Sequence, residues 1–426
     1  MDKKIDTLCV QAGYEPKNGD PRVLPLMQNT TYYYETPEQM AHLFDVPKDG
    51  HIYSRISNPT VGAFEEKLAR LEGGVAAMAA SSGMAATVMA VMTVCSGGDN
   101  IICLSTIYGG TYNLFSHTLK RYGIETRMFT PAATDAEIEK LIDDKTKMLF
   151  AETIANPAMV ALDFKRYSAL CRKHGILFAV DNTLATPCLV QPFKHGANVI
   201  IHSATKYLDG QASCVGGCIV DGGNFEFRRN PRYADFYTPD ESYHGTVYVD
   251  DGGAAAYILK ARMQYMRDLG ACMSPFNAFL IFRGMETLHL RMERHSSNAL
   301  ALAKALKNHP MAEYVRYPGL EDDEYHGVAK NYFRGGYSGM VVFGVKGGKE
   351  NAARFMKNLK LFKQVTHIAD VRSCVLHPAS TTHRQLSEQD LLDCGITENL
   401  IRLSAGIEAE SDVVGDVIEA LNAIKE

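Results

Sequence analysis

An acid and an amine follow two successive apolar runs of the sequence, and they are the residues best suited to chemistry. The run ILFAVD (176–181) ends in Asp181, and the run NVIIHS (198–203) is followed closely by Lys206. Both runs are short and apolar, which predicts buried strands of a parallel sheet, and ligands bind beyond the carboxyl ends of such strands. We therefore expect Asp181 and Lys206 to be neighbours.

Two interpretations fit an acid beside an amine in apolar surroundings. A buried ion pair could hold the two strands together, and structural pairs of this kind also perturb pKa values. In a pyridoxal phosphate site, the lysine instead forms a Schiff base with the aldehyde, while the carboxylate keeps the pyridine nitrogen protonated. The second interpretation predicts a phosphate site and an aromatic side chain close by.

Candidates for both of these features are present in the sequence. The segment SSGM (81–84) opens a predicted helix, whose free backbone N–H groups and dipole favour an anion, and Gly83 allows close approach to the backbone. Ser203 and Thr205 flank the lysine with hydroxyl donors, and Tyr108, in TIYGGT, could cover a cofactor ring. The joint order of these residues favours the pyridoxal phosphate site.

Short apolar runs alternate with helical patterns over the first half of the chain. Four of the runs predict strands, at 101–105, 147–152, 176–181 and 198–203. The segments between them predict helices at 111–122, 134–143 and 163–174, the last with Asp163 as N-cap and Gly175 beyond its end. This alternation predicts an α/β fold with a mostly parallel sheet.

The other segments predict an N-terminal arm and a smaller domain. Six prolines interrupt the first 60 residues, which excludes long helices and predicts an extended arm (1–60). A large cofactor-binding domain (61–265) and a C-terminal α+β domain (266–426) follow. The elements predicted in the C-terminal domain are a helical stretch at 275–308, strands at 339–345, 373–378 and 400–404, and a closing helix at 411–425.

The composition argues against several classes of partner. With 44 Lys and Arg against 49 Asp and Glu, the formal charge is −5, which argues against nucleic acid and anionic membranes. The uncharged stretch 73–98 is rich in Ala, Gly, Ser and Thr, which predicts a buried helix and no membrane span. The first residues lack an apolar signal core and the ten cysteines are scattered, so we expect a cytoplasmic protein with reduced thiols.

Several motifs of other enzyme classes are missing from the sequence. No two glycines stand two positions apart, so G-x-G-x-x-G is absent, and the P-loop and G-x-S-x-G motifs are absent as well. Cys374, His377 and His383 are spaced like partial metal ligands, but no second cysteine pair completes a zinc set. We therefore expect no metal site.

A series of motifs, in order along almost the whole chain, resembles one enzyme family. The motifs are YSR (53–55), NPT (58–60), SSGMAA (81–86), STIYGGT (105–111), ETIANP (152–157), VDNT (180–183), HSATKY (202–207) and RLSAGIE (402–408). They resemble the Cys/Met-metabolism family of pyridoxal phosphate enzymes, which includes cystathionine γ-synthase, cystathionine lyases, methionine γ-lyase and sulfhydrylases. The resemblance implies the type I aminotransferase-like fold and pyridoxal phosphate as the cofactor.

The resemblance also implies roles for single residues around the cofactor. Lys206 resembles the Schiff-base lysine that carries protons, Asp181 the carboxylate on the pyridinium nitrogen, and Tyr108 the tyrosine that stacks on the ring. The residues that resemble the phosphate binders are Gly83, Met84, Ser203 and Thr205. The residues expected to contact or orient the substrate are Arg402 on its carboxylate, Asn156 near the ring hydroxyl, and Ser373, which would position Lys206 or the carboxylate.

Tyr53 and Arg55 have two interpretations. Composition alone favours an exposed arm with a solvated arginine. The resemblance implies instead that these residues reach the phosphate of the neighbouring subunit. In that case the active unit is a dimer, and we expect a homotetramer built as a dimer of dimers.

The resemblance implies γ-replacement, with an amino-acid substrate and sulfide as partners. We expect L-homocysteine and acetate to be made from O-acetyl-L-homoserine and sulfide. Three features resemble the sulfhydrylase branch, namely Gly110, where methionine γ-lyases typically carry cysteine, the segment 377–397 and the long loop 222–253. Ala369 departs from the glycine that relatives often have. The alternatives are methionine γ-lyase or another γ-elimination enzyme, and a non-catalytic cofactor-binding protein.

Overall fold

The computed structural model describes residues 3–45, 50–384 and 387–424. Within these residues, twelve strands form two sheets, one of seven strands and one of five. Pro47 of the expected arm, residues 385–386 of the segment 377–397 and residue 425 of the expected closing helix lie outside the described residues. The domain boundaries remain predictions.

The larger sheet is mostly parallel, as predicted. Its strands are β1 (Ala76–Ala80), β2 (Asn100–Leu104), β3 (Glu125–Phe129), β4 (Thr146–Glu152), β5 (Leu177–Asp181), β6 (Val199–His202) and β7 (Gly217–Asp221). In the order β1-β7-β6-β5-β4-β2-β3, strand β7 runs antiparallel to both neighbours and the other pairs are parallel. Alternate side chains of β2 enter different cores, Ile102 on one face and Ile101 on the other, so helices cover both faces.

Helices connect these strands, and they agree with the predicted alternation. The helices of this part are α1 (Ile5–Gln11), α2 (Pro37–Asp45), α3 (Pro59–Glu72), α4 (Gly83–Met92), α5 (Gly109–Asn113), α6 (Asp135–Glu139), α7 (Phe164–His174), α8 (Thr186–Leu189), α9 (Tyr248–Asp251), α10 (Ala256–Lys260) and α11 (Arg267–Leu269). Asp163 caps α7 and Gly175 ends it in the left-handed conformation, as predicted. Helix α6 is shorter than the predicted 134–143, and π-helical residues Leu114–Thr118 continue α5.

The smaller sheet lies in the second half of the chain and is mostly antiparallel. Its strands are β8 (Ala312–Arg316), β9 (Met340–Val345), β10 (Lys363–Gln364), β11 (Cys374–Leu376) and β12 (Leu400–Ser404), in the order β10-β11-β12-β9-β8. The accompanying helices are α12 (Pro275–Met285), α13 (Leu288–Lys307), α14 (His326–Ala329), α15 (Gly348–Asn358), α16 (Glu388–Asp393) and α17 (Glu410–Asn422). The predicted helical stretch 275–308 is thus two helices, because Thr287 leaves helical geometry between them.

The uncharged stretch 73–98 is not a single helix, so that expectation is wrong. Its first part is strand β1, which pairs along its whole length with β7, from Ala76 opposite Asp221 to Ala80 opposite Gly217. Only then does α4 begin, after its N-cap Ser82. Ala and Met favour helix locally, but the ladder to a distant strand outweighs that preference. Among the described residues, no helix is long and apolar enough to cross a membrane.

Ala369, the departure noted in the sequence, adopts a backbone conformation that suits glycine. Its φ is +66°, in the left-handed region, and its side chain is fully buried. The Ala369 N–H donates to Ser404 Oγ at 2.9 Å, which holds the turn against β12. A residue with a Cβ is strained in this region by about 1–2 kcal/mol.

We expect glycine to be tolerated at Ala369 far better than at a comparable buried alanine. Ala369→Gly loses a methyl group worth about 0.8 kcal/mol but relieves strain of about 1–2 kcal/mol. Ala405→Gly is the matched control, since Ala405 is also fully buried but has no positive φ. The melting temperature, measured by calorimetry, should fall in the control and stay unchanged or rise in Ala369→Gly. Equal losses in the two variants would contradict this explanation.

Candidate active site

The carboxyl ends of β4, β5 and β6 open into a cavity of about 320 Å³, which β12 completes from the other sheet. The expected site residues that line it are Gly83, Met84, Tyr108, Asn156, Asp181, Ser203, Thr205, Lys206 and Arg402. The structure thus brings together residues from six motifs that are far apart in the sequence. Ser373, Tyr53 and Arg55 lie elsewhere.

The N-terminus of α4 forms one wall of the cavity. Ser82 caps the helix by accepting the Ala85 N–H at 3.1 Å, and the first turn of a helix leaves backbone N–H groups without intrahelical partners. A Cβ at Gly83 would lie 2.6 Å from Ser203 Cβ, so only glycine lets this turn approach the lysine-bearing loop. Gly217 of β7 likewise allows a close approach to the start of α4, since a Cβ there would lie 2.0 Å from the Ser82 carbonyl oxygen.

The loop after β6 offers hydroxyl groups beside this helix end. The Ser203 N–H donates to Thr183 Oγ1 at 2.8 Å, which fixes the start of the loop. Thr205 Oγ1 donates to the Gly216 carbonyl oxygen at 3.1 Å and accepts the Gly216 N–H at 3.0 Å. The helix end and the two hydroxyl residues together form a concave surface suited to a phosphate.

Two carboxylates end neighbouring strands at the floor of the cavity. Glu152 of β4 and Asp181 of β5 stand opposite each other in the strand register. Burial raises the pKa of both, and the negative charge of Asp181 raises the pKa of Glu152 further. Glu152 accepts the Tyr108 N–H at 2.7 Å and the Asn156 N–H at 3.0 Å. Sequence reasoning did not select Glu152, although it begins the ETIANP motif at the end of a predicted strand.

Behind the carboxylates, a buried network joins three strand ends to helix α3. The Glu72 carboxylate lies 2.6 Å from His202 Nε2 and accepts from Asn182 Nδ2 at 2.8 Å. The Thr153 hydroxyl donates to Asn182 Oδ1 at 2.8 Å. All four side chains are buried, and Thr153, Asn182 and His202 stand at the ends of β4, β5 and β6. The network therefore fixes the strand ends that carry the cavity floor.

Lys206 projects into the cavity from the loop after β6. Its Nζ lies 3.4 Å from His367 Nδ1, and the described residues include no ion pair between Lys206 and Asp181. Burial lowers the pKa of Lys206 to about 8, and the positive charge of Arg402 contributes. The lowered pKa increases the share of neutral amine near neutral pH, and only the neutral amine is a nucleophile.

Arg402 of β12 faces Lys206 across the cavity. Its Nη1 donates to Asn156 Oδ1 at 3.2 Å and its Nη2 to the Thr366 carbonyl oxygen at 3.4 Å. Its Nε is buried and has no hydrogen-bond partner among the described residues. Burial lowers the pKa of the guanidinium to about 10. A buried guanidinium with a spare donor is suited to a carboxylate ligand.

Tyr108 stands at the mouth of the cavity, with 43% of its surface exposed. Its ring lies against the next turn of the chain, because a Cβ at Gly110 would sit 2.5 Å from Tyr108 Cε1. The position of the Tyr108 ring therefore requires a residue without a Cβ at position 110.

Three expected site residues are not at the cavity. The Ser373 hydroxyl donates to Glu408 Oε2 at 2.9 Å and accepts the Gly406 N–H at 2.9 Å, so it supports the loop after β12 and does not touch Lys206. Tyr53 and Arg55 line a second cavity of about 540 Å³. There Arg55 stacks 5.6 Å from the Tyr53 ring and donates to the Arg267 carbonyl oxygen.

These features fit pyridoxal phosphate. The N-terminus of α4 suits the phosphate, Asp181 a protonated ring nitrogen, and Lys206 the aldehyde. Gly83 removes the Cβ that would otherwise fill the phosphate surface. The interpretation of Asp181 and Lys206 as a structural ion pair finds no support in this geometry.

Comparisons with known proteins agree with this assignment. A family model described as Cys/Met metabolism PLP-dependent enzyme matches residues 6–422. An O-acetyl-L-homoserine sulfhydrylase of Leptospira meyeri is 42% identical over 99% of this chain and 97% of its own. A homocysteine synthase of Schizosaccharomyces pombe is 41% identical over 98% of each chain.

A solved structure gives the same result for the fold. It is described as an O-acetylhomoserine (thiol)-lyase of Campylobacter jejuni and carries N′-pyridoxyl-lysine-5′-monophosphate. It is 40% identical, covers 99% of this chain and 100% of its own, and superposes with a TM-score of 0.95. The expected fold class and cofactor are therefore confirmed, and the chain belongs to the Cys/Met metabolism family of pyridoxal phosphate-dependent enzymes.

Proposed function

We propose that this enzyme makes L-homocysteine and acetate from O-acetyl-L-homoserine and sulfide. Relatives named for this activity are 41–42% identical over nearly the whole chain. The observation that carries the choice within the family is the contact between Gly110 and Tyr108, because a Cβ at position 110 would lie 2.5 Å from Tyr108 Cε1 and the ring would have to shift. A cysteine there, which methionine γ-lyases typically carry, would require the Tyr108 ring to move.

The residues of the cavity can perform a replacement at Cγ. When bound, pyridoxal phosphate supplies an electron sink for the negative charge that develops at the substrate Cα. Arg402 holds the substrate carboxylate, and Asn156, hydrogen-bonded to Arg402, keeps the guanidinium in place. Lys206 is the one amine among the described residues that lines the cavity, and its neutral form can remove the protons from Cα and Cβ that must leave before acetate does.

The remaining cavity residues hold and cover the cofactor in this proposal. Asp181 would hold the ring nitrogen protonated, and Tyr108 would cover the ring and assist the departing group. The residues that contact the phosphate are Gly83, Met84, Ser203 and Thr205. Sulfide, which is small, would enter past the exposed edge of Tyr108 and bond to Cγ after acetate has left, and a proton then returns to Cβ.

Tyr53 and Arg55 belong to the phosphate site of a neighbouring subunit in our proposal. They lie in their own cavity and not in the one that holds Lys206 of the same chain, which is what a shared site requires. We further propose a homotetramer built as a dimer of dimers, working in the cytoplasm.

The reaction is tested by product analysis of the purified holoenzyme. O-acetyl-L-homoserine is supplied with and without sulfide, and L-methionine is supplied alone. We expect homocysteine and acetate only with sulfide, and a loss of about 1,000-fold in Lys206→Ala because no other group replaces its proton transfers. Rapid release of methanethiol and 2-oxobutyrate from methionine would identify a γ-lyase. A protein that binds the cofactor but converts neither substrate would be the non-catalytic alternative.

The role of Gly110 is tested by adding a single methyl group. Gly110→Ala should lower kcat/KM for O-acetyl-L-homoserine at least about tenfold, since displacement of a group by about 1 Å can cost up to 100-fold. Gly62→Ala is the control, because a Cβ at Gly62 on α3 meets nothing within 4 Å. Unchanged kinetics in Gly110→Ala would remove our argument against the γ-lyase.

The shared phosphate site is tested by Arg55→Ala. Loss of a hydrogen bond to a charged group is worth about 1.5–3 kcal/mol, so we expect the cofactor to bind at least about tenfold more weakly. Equilibrium dialysis measures the affinity and sedimentation measures the assembly, with the exposed Arg294→Ala on α13 as control. Full cofactor affinity in a dissociated monomer would contradict a site shared between subunits.

A further inference from the structure

Two cysteines that are far apart in the sequence lie side by side, away from the cavity that holds Lys206. Cys9 of α1 and Cys188 of α8 are separated by 179 positions, yet their Sγ atoms are 4.0 Å apart and one thiol donates a hydrogen bond to the other. Cys9 is fully buried, whereas Cys188 is half-buried. Neither cysteine belongs to the motifs of the site, so the proposed reaction does not explain this contact.

The groups around Cys9 favour its ionised form. Lys67 Nζ, on α3, donates to the Cys9 carbonyl oxygen at 2.7 Å, and the His289 backbone, in the first turn of α13, is hydrogen-bonded to the thiol. Thiols beside a lysine or at the N-terminus of a helix ionise more readily than free cysteine. The hydrogen bonds to Cys188 and His289 and the charge of Lys67 lower the pKa of Cys9, although burial opposes them.

We propose that Cys9 and Cys188 form a redox-sensitive pair, which hydrogen peroxide converts to a disulfide and a dithiol reduces again. The two sulfurs must approach by about 2 Å, since an S–S bond is about 2.05 Å long. Rotation of the two side chains supplies this movement, and α1, a helix of only seven residues, can follow it. In a reducing compartment such a disulfide is transient and reports oxidation. The inference goes beyond the proposed reaction and does not depend on it.

The oxidation is balanced with one molecule of peroxide. The Cys9 thiolate attacks one peroxide oxygen, the O–O bond breaks, and the departing hydroxide takes up a proton to leave as water. The Cys188 sulfur then attacks Cys9 Sγ of the resulting sulfenic acid, the S–O bond breaks, and the oxygen leaves with the Cys188 proton as a second water. Two thiols are thereby oxidised by two electrons. Peroxide is small enough to enter beside the half-buried Cys188.

The disulfide would connect the N-terminal arm to the strand end that carries Asp181. The Thr186 N–H at the start of α8 donates to the Asn182 carbonyl oxygen at 2.8 Å, and Asn182 Nδ2 donates to the Val190 carbonyl oxygen at 3.0 Å. Because Asn182 follows Asp181 directly, α8 is held close to the floor of the cavity. Oxidation would therefore tie α1 to an element that supports the cofactor site.

The first test follows the thiols of the holoenzyme by mass spectrometry. Reduced protein is treated with a small excess of hydrogen peroxide, the remaining thiols are alkylated, and the peptides are separated without reduction. We expect a peptide in which Cys9 is joined to Cys188, and dithiothreitol should separate the two again. Peroxide that adds oxygen to either cysteine without joining them, joins either one to a different cysteine, or leaves both as thiols would overturn the proposal.

Single substitutions distinguish this pair from the other thiols. Cys188→Ser keeps a hydroxyl group that can hydrogen-bond, so we expect a folded protein in which Cys9 gains oxygen and forms no disulfide. Cys272→Ser is the matched control, because Cys272 is also half-buried but forms no hydrogen bond to a thiol among the described residues. It should form the bond as fast as wild type. A Cys272→Ser protein that no longer joins Cys9 to Cys188 would contradict the assignment.

The role of Lys67 is tested by the pH dependence of disulfide formation. Only the thiolate reacts, and removal of a positive neighbour raises the pKa of Cys9, so the rate in Lys67→Met should reach half its maximum at a higher pH. At neutral pH we expect formation at least about threefold slower than in wild type. Lys67→Arg keeps the charge and should restore the wild-type profile. The same midpoint in wild type and Lys67→Met would show that these surroundings do not activate the pair.

The effect on the arm is measured by the melting temperature of the holoenzyme. A bond between residues 179 positions apart restricts the unfolded chain, so the oxidised protein should melt about 3–5 °C above the reduced protein. Cys188→Ser should show no such rise. A lower melting temperature after bond formation would show that the native fold does not accommodate the disulfide. These measurements need no turnover, so failure of the proposed function would be recognised separately, by product analysis.

Discussion

One buried carboxylate, that of Glu72, holds the architecture on which the active site depends. It joins His202 and Asn182, and through Asn182 the hydroxyl of Thr153, so that the ends of three parallel strands share one hydrogen-bonded anchor. Hydrogen bonds inside a buried network are stronger than in water, so these contacts hold the strand ends even though Glu72 Oε2 and His202 Nδ1 have no partner among the described residues. The residues that follow these strand ends, including Asp181 and Lys206, take their relative positions from it.

The cavity in front of this network is lined by two acidic and two basic side chains. Glu152 and Asp181 stand side by side at its floor, whereas Lys206 lies on the loop after β6 of the larger sheet and Arg402 on strand β12 of the smaller sheet. Burial favours the neutral form of each group, so it raises the pKa of both acids and lowers the pKa of both bases. The cavity therefore offers a suitable partner to each of the three groups of the cofactor, namely its phosphate, its ring nitrogen and its aldehyde.

The residues at the ends of the parallel strands could be predicted from the sequence. The elements and contacts that hold those strand ends in place could not. Runs such as 176–181 are short, apolar and followed by polar residues, so Asp181 and Lys206 could be placed at one edge of a sheet. Strand β1 could not be found this way, because its four alanines and one methionine become a strand only by pairing with β7. The contact between Ser373 and Glu408 could not be predicted for a similar reason, since Glu408 lies on another segment and nothing local indicates that contact.

The pairing of β1 with β7 also limits when this part of the sheet can form during synthesis of the chain. β1 immediately precedes α4, yet its partner strand ends at Asp221, after the lysine-bearing loop. A nascent chain therefore exposes an unpaired, alanine-rich segment until the ribosome has released β7, and such non-local pairings form slowly. Helix α4, which directly follows β1, therefore gains this anchor only after Lys206 has emerged. The two walls of the cavity that α4 and the loop after β6 provide thus come together late in synthesis.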